Sequence, residues 1–82
     1  MTSTIEISLY PLRDDYPAAV LSFLEQVKAI PDTEVHTNGM STIIIGEYSF
    51  LWKQIGDLMA IEMVSGSSIF VLKVAPGRRE YV

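Results

Sequence analysis

Glu34-Val35-His36-Thr37-Asn38-Gly39-Met40-Ser41-Thr42-Ile43-Ile44-Ile45, EVHTNGMSTIII in one-letter code, is the stretch on which the reading of the fold turns. An Asn-Gly dipeptide between two runs of strand-forming residues signals a hairpin, because both residues tolerate the positive φ of a tight turn. The spacing predicts a short strand over 34–37, a turn at Asn38-Gly39 and a longer strand over 40–48.

Upstream, Ile5, Ile7 and Leu9 alternate with Glu6, Ser8 and Tyr10, the period of a strand with one apolar face, and Pro11 is expected to stop it. Asp14 and Asp15 precede Tyr16-Pro17, where an acidic cap or first-turn residue and an early proline suit a helix start. That helix should run to about Ala29 with Val20, Leu21, Leu24 and Val27 facing inward, and Pro31 bars its continuation. Downstream, Ser49 is the expected cap of a second helix with Leu51, Ile55, Leu58 and Met59 at helical spacing, ending near Glu62 before Gly66. A last strand is expected from Ser67 to Ala75, broken by Pro76-Gly77 ahead of a charged tail. The order strand, helix, strand, strand, helix, strand predicts an α+β, ferredoxin-like β-α-β-β-α-β fold. Its four-stranded antiparallel sheet would carry two helices on one face.

A chain of 82 residues sets an expectation of one domain over 1–82. There is no cysteine to staple so small a core, so oligomerisation is an expected source of stability. No apolar run is long enough for a transmembrane span and the N-terminus lacks a secretory pattern, which points to a cytoplasmic protein with no membrane partner. Six basic against ten acidic residues give a net charge of -4. That balance offers little attraction for a phosphate backbone, so no nucleic-acid partner is expected.

Helices on one side leave the other sheet face open. With Ile5, Ile7 and Leu9 inward, Glu6, Ser8 and Tyr10 face outward. With Phe70, Leu72 and Val74 inward, Ile69, Val71 and Lys73 face outward. In the middle strand Ile43 and Ile45 are assigned to the core, and Thr42, Ile44 and Gly46 to the open face. A mixed surface of this kind suits an oligomer interface, a small-molecule pocket at or near that interface, or both together. Glu6 and Lys73 fall on neighbouring strands as a polar pair, which is either a solvated surface contact or part of such a pocket.

Catalytic chemistry finds no foothold. His36 lacks a relay, Ser41 lacks a nucleophile elbow, and Gly39 and Gly46 do not make a phosphate loop. Asp14-Asp15 reads more simply as first-turn electrostatics than as a cation site. No metal, cofactor or catalytic residue is expected. Tyr48, Phe50 and Trp52 cluster near the second helix start, either as core or interface packing or as an aromatic wall.

The segments Ile7-Ser8-Leu9-Tyr10-Pro11-Leu12 (ISLYPL), Glu34 to Thr42 (EVHTNGMST) and Gly46-Glu47-Tyr48 together resemble the YkoF-like family of thiamine- or hydroxymethylpyrimidine-binding proteins, in its single-domain form. The resemblance implies a ferredoxin-like domain that assembles through its sheet into a dimer or tetramer and binds thiamine or its pyrimidine part without catalysis. It implies ligand-binding roles for Ser8, Tyr10, Asn38, Met40, Ser41 and Thr42. Ser8, Ser41 or Thr42 would hydrogen-bond the pyrimidine edge, Met40 and Tyr10 would shape an apolar wall, and Asn38 would serve the ligand or the turn. Departures from the family pattern are the short link Val64 to Ser68 and a second helix with apolar residues spread around it. The competing reading is a structural or regulatory homo-oligomeric interaction module with no small ligand.

Overall fold

The computed structural model describes residues 1–79. In chain order its elements are β1 (Thr2–Pro11), α1 (Tyr16–Lys28), β2 (Glu34–Thr37), β3 (Thr42–Glu47), α2 (Tyr48–Ser65) and β4 (Ser68–Pro76). The strands form one sheet in the order β2-β3-β1-β4, every neighbouring pair antiparallel. This is the ferredoxin-like topology expected from the sequence, with both helices on one face.

The alternation of β1 places Ile5 and Ile7 in the core, where they pack with Phe23, Val27, Leu51 and Ile55 from the helices. In α1 the buried positions are Ala19, Phe23 and Val27, one stripe at i, i+4, i+8. Leu21, expected inside, is 63% exposed. The stripe therefore lies to one side of the expected one, because the bulk of Phe23 outcompetes Leu21 for the core. In α2 the expected Leu51 and Ile55 are fully buried, with Leu58 and Met59 packed beside them.

The phase of β3 is the reverse of the expected one. Register pairs Ile5 with Ile44 and Ile7 with Thr42, so Thr42, Ile44 and Gly46 face the helices, and Ile43 and Ile45 lie on the open face. Ile44 is 0% exposed. The physical reason is the close approach of α2 to the sheet: a Cβ on Gly46 would stand 3.3 Å from Leu51 Cγ. The side of the strand that carries the glycine accepts the helix with the least crowding. Ile45 is buried as well, although it lies outside the core cluster, because the chain after β4 folds across the open face at this end. Gly77 N–H donates to Thr2 O (2.8 Å) and Arg79 N–H to Thr4 Oγ1 (2.9 Å), while Arg78 Nη2 donates to Glu34 Oε2 (2.8 Å). Thr4 and Glu34 are the two register partners of Ile45, so the segment spans the strand that separates them.

Pro11 is the last residue of β1, as expected. Two other local expectations change. The cap of α2 is Glu47, not Ser49, and its carboxylate accepts from Phe50 N–H at 2.8 Å. The hairpin closes through a four-residue loop, Asn38 to Ser41, with Thr37 opposite Thr42, and Gly39 does not adopt positive φ. Asn38 holds that loop itself: its Oδ1 accepts from Met40 N–H (2.7 Å) and Ser41 N–H (3.1 Å), an Asx turn in place of the tight turn.

Candidate functional site

β1 pairs with β4 as far as Pro11, but with β3 only as far as Ile7. Its last four residues thus overhang on the β3 side, where the 38–41 loop turns away. The start of α1 passes beneath that overhang, and the three segments enclose a cleft of about 590 Å³. This volume lies within the usual range for small-molecule sites.

All six residues expected at a ligand site line this one cleft: Ser8 and Tyr10 from β1, and Asn38, Met40, Ser41 and Thr42 from the hairpin. The cleft therefore joins two segments about thirty positions apart in sequence. Ile7, Leu9, Phe23 and Leu24 supply apolar surface, and Tyr10 and Met40 stand exposed at the mouth. The polar groups are partly engaged with one another. Thr42, buried on the helix side, shares a 2.8 Å hydrogen bond with the Thr37 hydroxyl. Ser8 Oγ donates a long bond to Met40 O (3.4 Å), and Ser41 Oγ donates to Glu6 Oε2 (3.2 Å).

Sequence reasoning missed Tyr16, Pro17 and Leu21 of α1, which also line the cleft. The signal was present in a stripe Tyr16, Val20, Leu24 at i, i+4, i+8 beside the buried one, giving α1 two adjacent apolar faces. Tyr16 and Leu21 are both exposed.

Glu6 and Lys73 are brought together as expected, but elsewhere. They are register partners on β1 and β4, with Lys73 Nζ 3.7 Å from Glu6 Oε1. They line a second, smaller hollow of about 270 Å³ on the open face, with Thr4, Ile43, Ala75 and Arg79. Lys73 is largely exposed, so as an ion pair this contact is worth at most about 1 kcal/mol. The Ser41 hydroxyl on Glu6 is the link between the two hollows.

His36, exposed on the open face, lies with Nε2 2.8 Å from Glu34 Oε2. The His36 hydrogen bond and then that of Arg78 hold the Glu34 carboxyl below its ordinary value. Neither residue lines the cleft. Trp52 is half exposed and stacks on Tyr48 with ring centroids 6.3 Å apart, away from the cleft. Asp15 takes the cap position of α1 without a side-chain cap bond. Instead its carboxylate stands 2.9 Å from Arg13 Nε, while Arg13 Nη2 donates to the buried Glu62 at 2.5 Å. Among the described residues no three His, Cys, Asp or Glu side chains cluster as metal ligands, and no helix is long and apolar enough to cross a membrane.

No protein-family model and no curated protein matches the sequence. Solved structures do match the fold. A protein of Thermotoga maritima, provisionally described as a thiamine biosynthesis/salvage protein, superimposes with a TM-score of 0.80 at 13% identity over 90% of this chain and 82% of its own. A hypothetical protein of Methanocaldococcus jannascii does so with a TM-score of 0.79 at 20% identity, covering 98% and 84%. A Streptococcus pneumoniae protein gives 0.74 at 16% identity, covering 95% and 89%. At these identities the likeness is one of fold: the chain shares its architecture with a group of small α+β proteins, of which one carries a name tied to thiamine.

Proposed function

We propose that this chain is a non-catalytic binding protein for a small, flat heteroaromatic compound, thiamine or its hydroxymethylpyrimidine moiety, held between β1, the start of α1 and the 38–41 loop. The observation that carries the reading is the convergence of the six residues Ser8, Tyr10, Asn38, Met40, Ser41 and Thr42 on one cleft. An apolar body with a few polar groups at its margin orients a planar ring and excludes water from it. The description of the T. maritima structure supports the ligand class.

Asn38 serves both roles that the sequence left open. With Oδ1 accepting two backbone N–H groups, the amide nitrogen is what remains to offer a ligand, so Asn38 recognises an acceptor such as a ring nitrogen. The hydroxyl oxygens of Ser8 and Ser41 can accept from an exocyclic amine. Thr42, turned toward Thr37 and the helix side, shapes the floor.

Calorimetric titration with thiamine and with hydroxymethylpyrimidine, at a measured oligomeric mass in the same buffer, tests the reading. Saturable binding near one ligand per chain is expected. Asn38→Asp keeps the acceptor that closes the loop and removes the donor; losing one net hydrogen bond of about 0.5–1.5 kcal/mol weakens hydroxymethylpyrimidine about 2- to 12-fold. Absence of binding to either compound, at protein concentrations that detect high-micromolar affinity, refutes it.

The second reading, a homo-oligomeric interaction module, has its own observation. Ile69 and Val71 of β4 are half exposed on the open face, and Ile43 lies on the same face. In our reading a second copy covers this face, so assembly and ligand binding use different surfaces of the same sheet.

A further inference from the structure

The overhang of β1 leaves more than side chains facing the cleft. In an antiparallel strand the N–H and C=O of one residue point to the same side, and successive residues alternate. The side is fixed at the start of β1: Met1 O accepts from Tyr48 N–H beside β3, and Thr2 O accepts from Gly77 N–H beside β4. Leu12 N–H, donating to Ser67 O, keeps the even-numbered residues on the β4 side to the end of the strand. Odd-numbered residues therefore address β3, and beyond Ile7 these are Leu9 and Pro11. Proline has no N–H to lose, which is why Pro11 is tolerated at the end of the strand on this side.

Continuing the β1–β3 register would set Met40 opposite Leu9, since Ile7 faces Thr42. Both backbone groups of Met40 are diverted. Its N–H donates to Asn38 Oδ1, and its carbonyl receives the long bond from Ser8 Oγ. Leu9 thus presents a donor and an acceptor side by side, with the Pro11 carbonyl as a second acceptor, on a free strand edge that lines the cleft. A polar pair of this kind on an apolar wall is incompletely satisfied without a partner.

We infer that the backbone N–H and C=O of Leu9 form the recognition edge of the site, and that they read an aminopyrimidine-type edge, a ring nitrogen acceptor adjoining an exocyclic N–H donor. This inference rests on the binding reading given above and names the part of the ligand that is read. The ring nitrogen takes the Leu9 N–H, and the amine donates to the Leu9 carbonyl. The ring thereby replaces the residue by which β3 falls short. An extended peptide is a poorer occupant, because the free edge offers one backbone donor before β1 ends and the cleft volume suits a small molecule.

Amide hydrogen exchange of the full chain, followed by NMR with and without saturating hydroxymethylpyrimidine, tests this. The Leu9 amide is expected to slow by about tenfold or more, while Ser8 and Tyr10, already bonded toward β4, change little. A hydroxymethylpyrimidine analogue with a dimethylamino group keeps the ring and lacks the donor, and its affinity is expected to fall at least tenfold. If hydroxymethylpyrimidine binds with Leu9 exchange unchanged, or if the dimethylamino analogue binds equally well, the backbone edge is not the reader although the binding function stands. If no pyrimidine binds, the function and the inference fall together. Slowed exchange at Leu9 produced only by a second protein chain would assign the edge to strand addition and overturn it.

Discussion

The orientation of β3 determines which hairpin side chains face α1 and the cleft, and Ile44→Ala set beside Ile43→Ala tests it. Ile44 is fully buried in the core cluster, with Ile5 and Val35 as its register partners. Truncation at such a site costs about 2–5 kcal/mol, and complete burial at the centre of the cluster argues for about 3–4. For a chain of this length the total stability is about 4–12 kcal/mol. At about 4–8 °C per kcal/mol, Ile44→Ala should lower the melting temperature by roughly 12–32 °C. Ile43 lies on the opposite face and is partly exposed. Its truncation removes part of one apolar contact, about 1 kcal/mol or some 5 °C. Thermal melts by circular dichroism at two protein concentrations check the comparison, the second concentration revealing any contribution of Ile43 to assembly. Equal losses, or a larger loss at Ile43 that does not vary with concentration, would refute the orientation and the placement of Thr42 that depends on it.

Arg13→Ala leaves the buried Glu62 carboxylate without its partner and should cost about 2–3 kcal/mol, below the range for a fully buried pair because Arg13 is partly exposed; urea denaturation checks this. Phosphate esters of thiamine should bind no more tightly than thiamine itself, because the basic side chains point elsewhere: Arg13 to Glu62, Lys53 to Asp57, Lys73 to Glu6 and Arg78 to Glu34. Arg79 Nε donates to Pro76 O, and Lys28 sits at the far end of α1, so tighter binding of the diphosphate in a competition titration would contradict the cleft assignment. The Glu34 carboxyl is held low by His36 and Arg78, and that of Glu47 by the N–H groups of Phe50 and Ser49. Their folded values lie below 4.5, so the stability they contribute is complete above that pH and is lost as pH falls through the lowered values. A Glu34→Gln, Glu47→Gln double variant should accordingly show a shallower acid loss in melts taken between about pH 6 and about pH 3.

The order of elements was legible because each boundary carries its own chemistry, and the β1 and β4 alternations give unambiguous faces. The β3 run Ile43-Ile44-Ile45 is apolar on both sides, so period-2 reasoning could not orient it. The deciding residue was Gly46, whose meaning depends on how closely Leu51 of the following helix packs against it. The α1 face was shifted for a similar reason: Val20, Leu21 and Leu24 match a helical stripe as well as Ala19, Phe23 and Val27 do, and packing against the sheet chose between them. The residues expected at a ligand site came from resemblance to a family pattern, and they line one cleft. Tyr16 and Leu21 belong to a second apolar face on α1 that is legible in the sequence but reads equally as core, so its place in the cleft was not.

The cleft exists because a ten-residue strand is paired on one side with a six-residue strand, and the Asn38 side chain takes up the backbone donor that would lengthen the shorter one. A tight Asn-Gly turn would leave Met40 free to extend β3 and bond Leu9, closing the edge and filling the gap. Asn38 prevents this by taking the Met40 N–H onto its own carbonyl oxygen. In the proposed site the amide that would face a ligand therefore also keeps the opposing strand edge unpaired. This is why Asn38→Asp and Asn38→Ala should differ: the aspartate retains the acceptor and the open edge, whereas alanine permits the ladder to lengthen. Asn38→Ala should then lose binding more completely than Asn38→Asp while gaining exchange protection at Leu9 in the absence of any ligand. An Asn38→Ala protein whose Leu9 amide exchanges as fast as in the unaltered chain would show that the loop stays open for some other reason, and would remove Asn38 from this part of the argument.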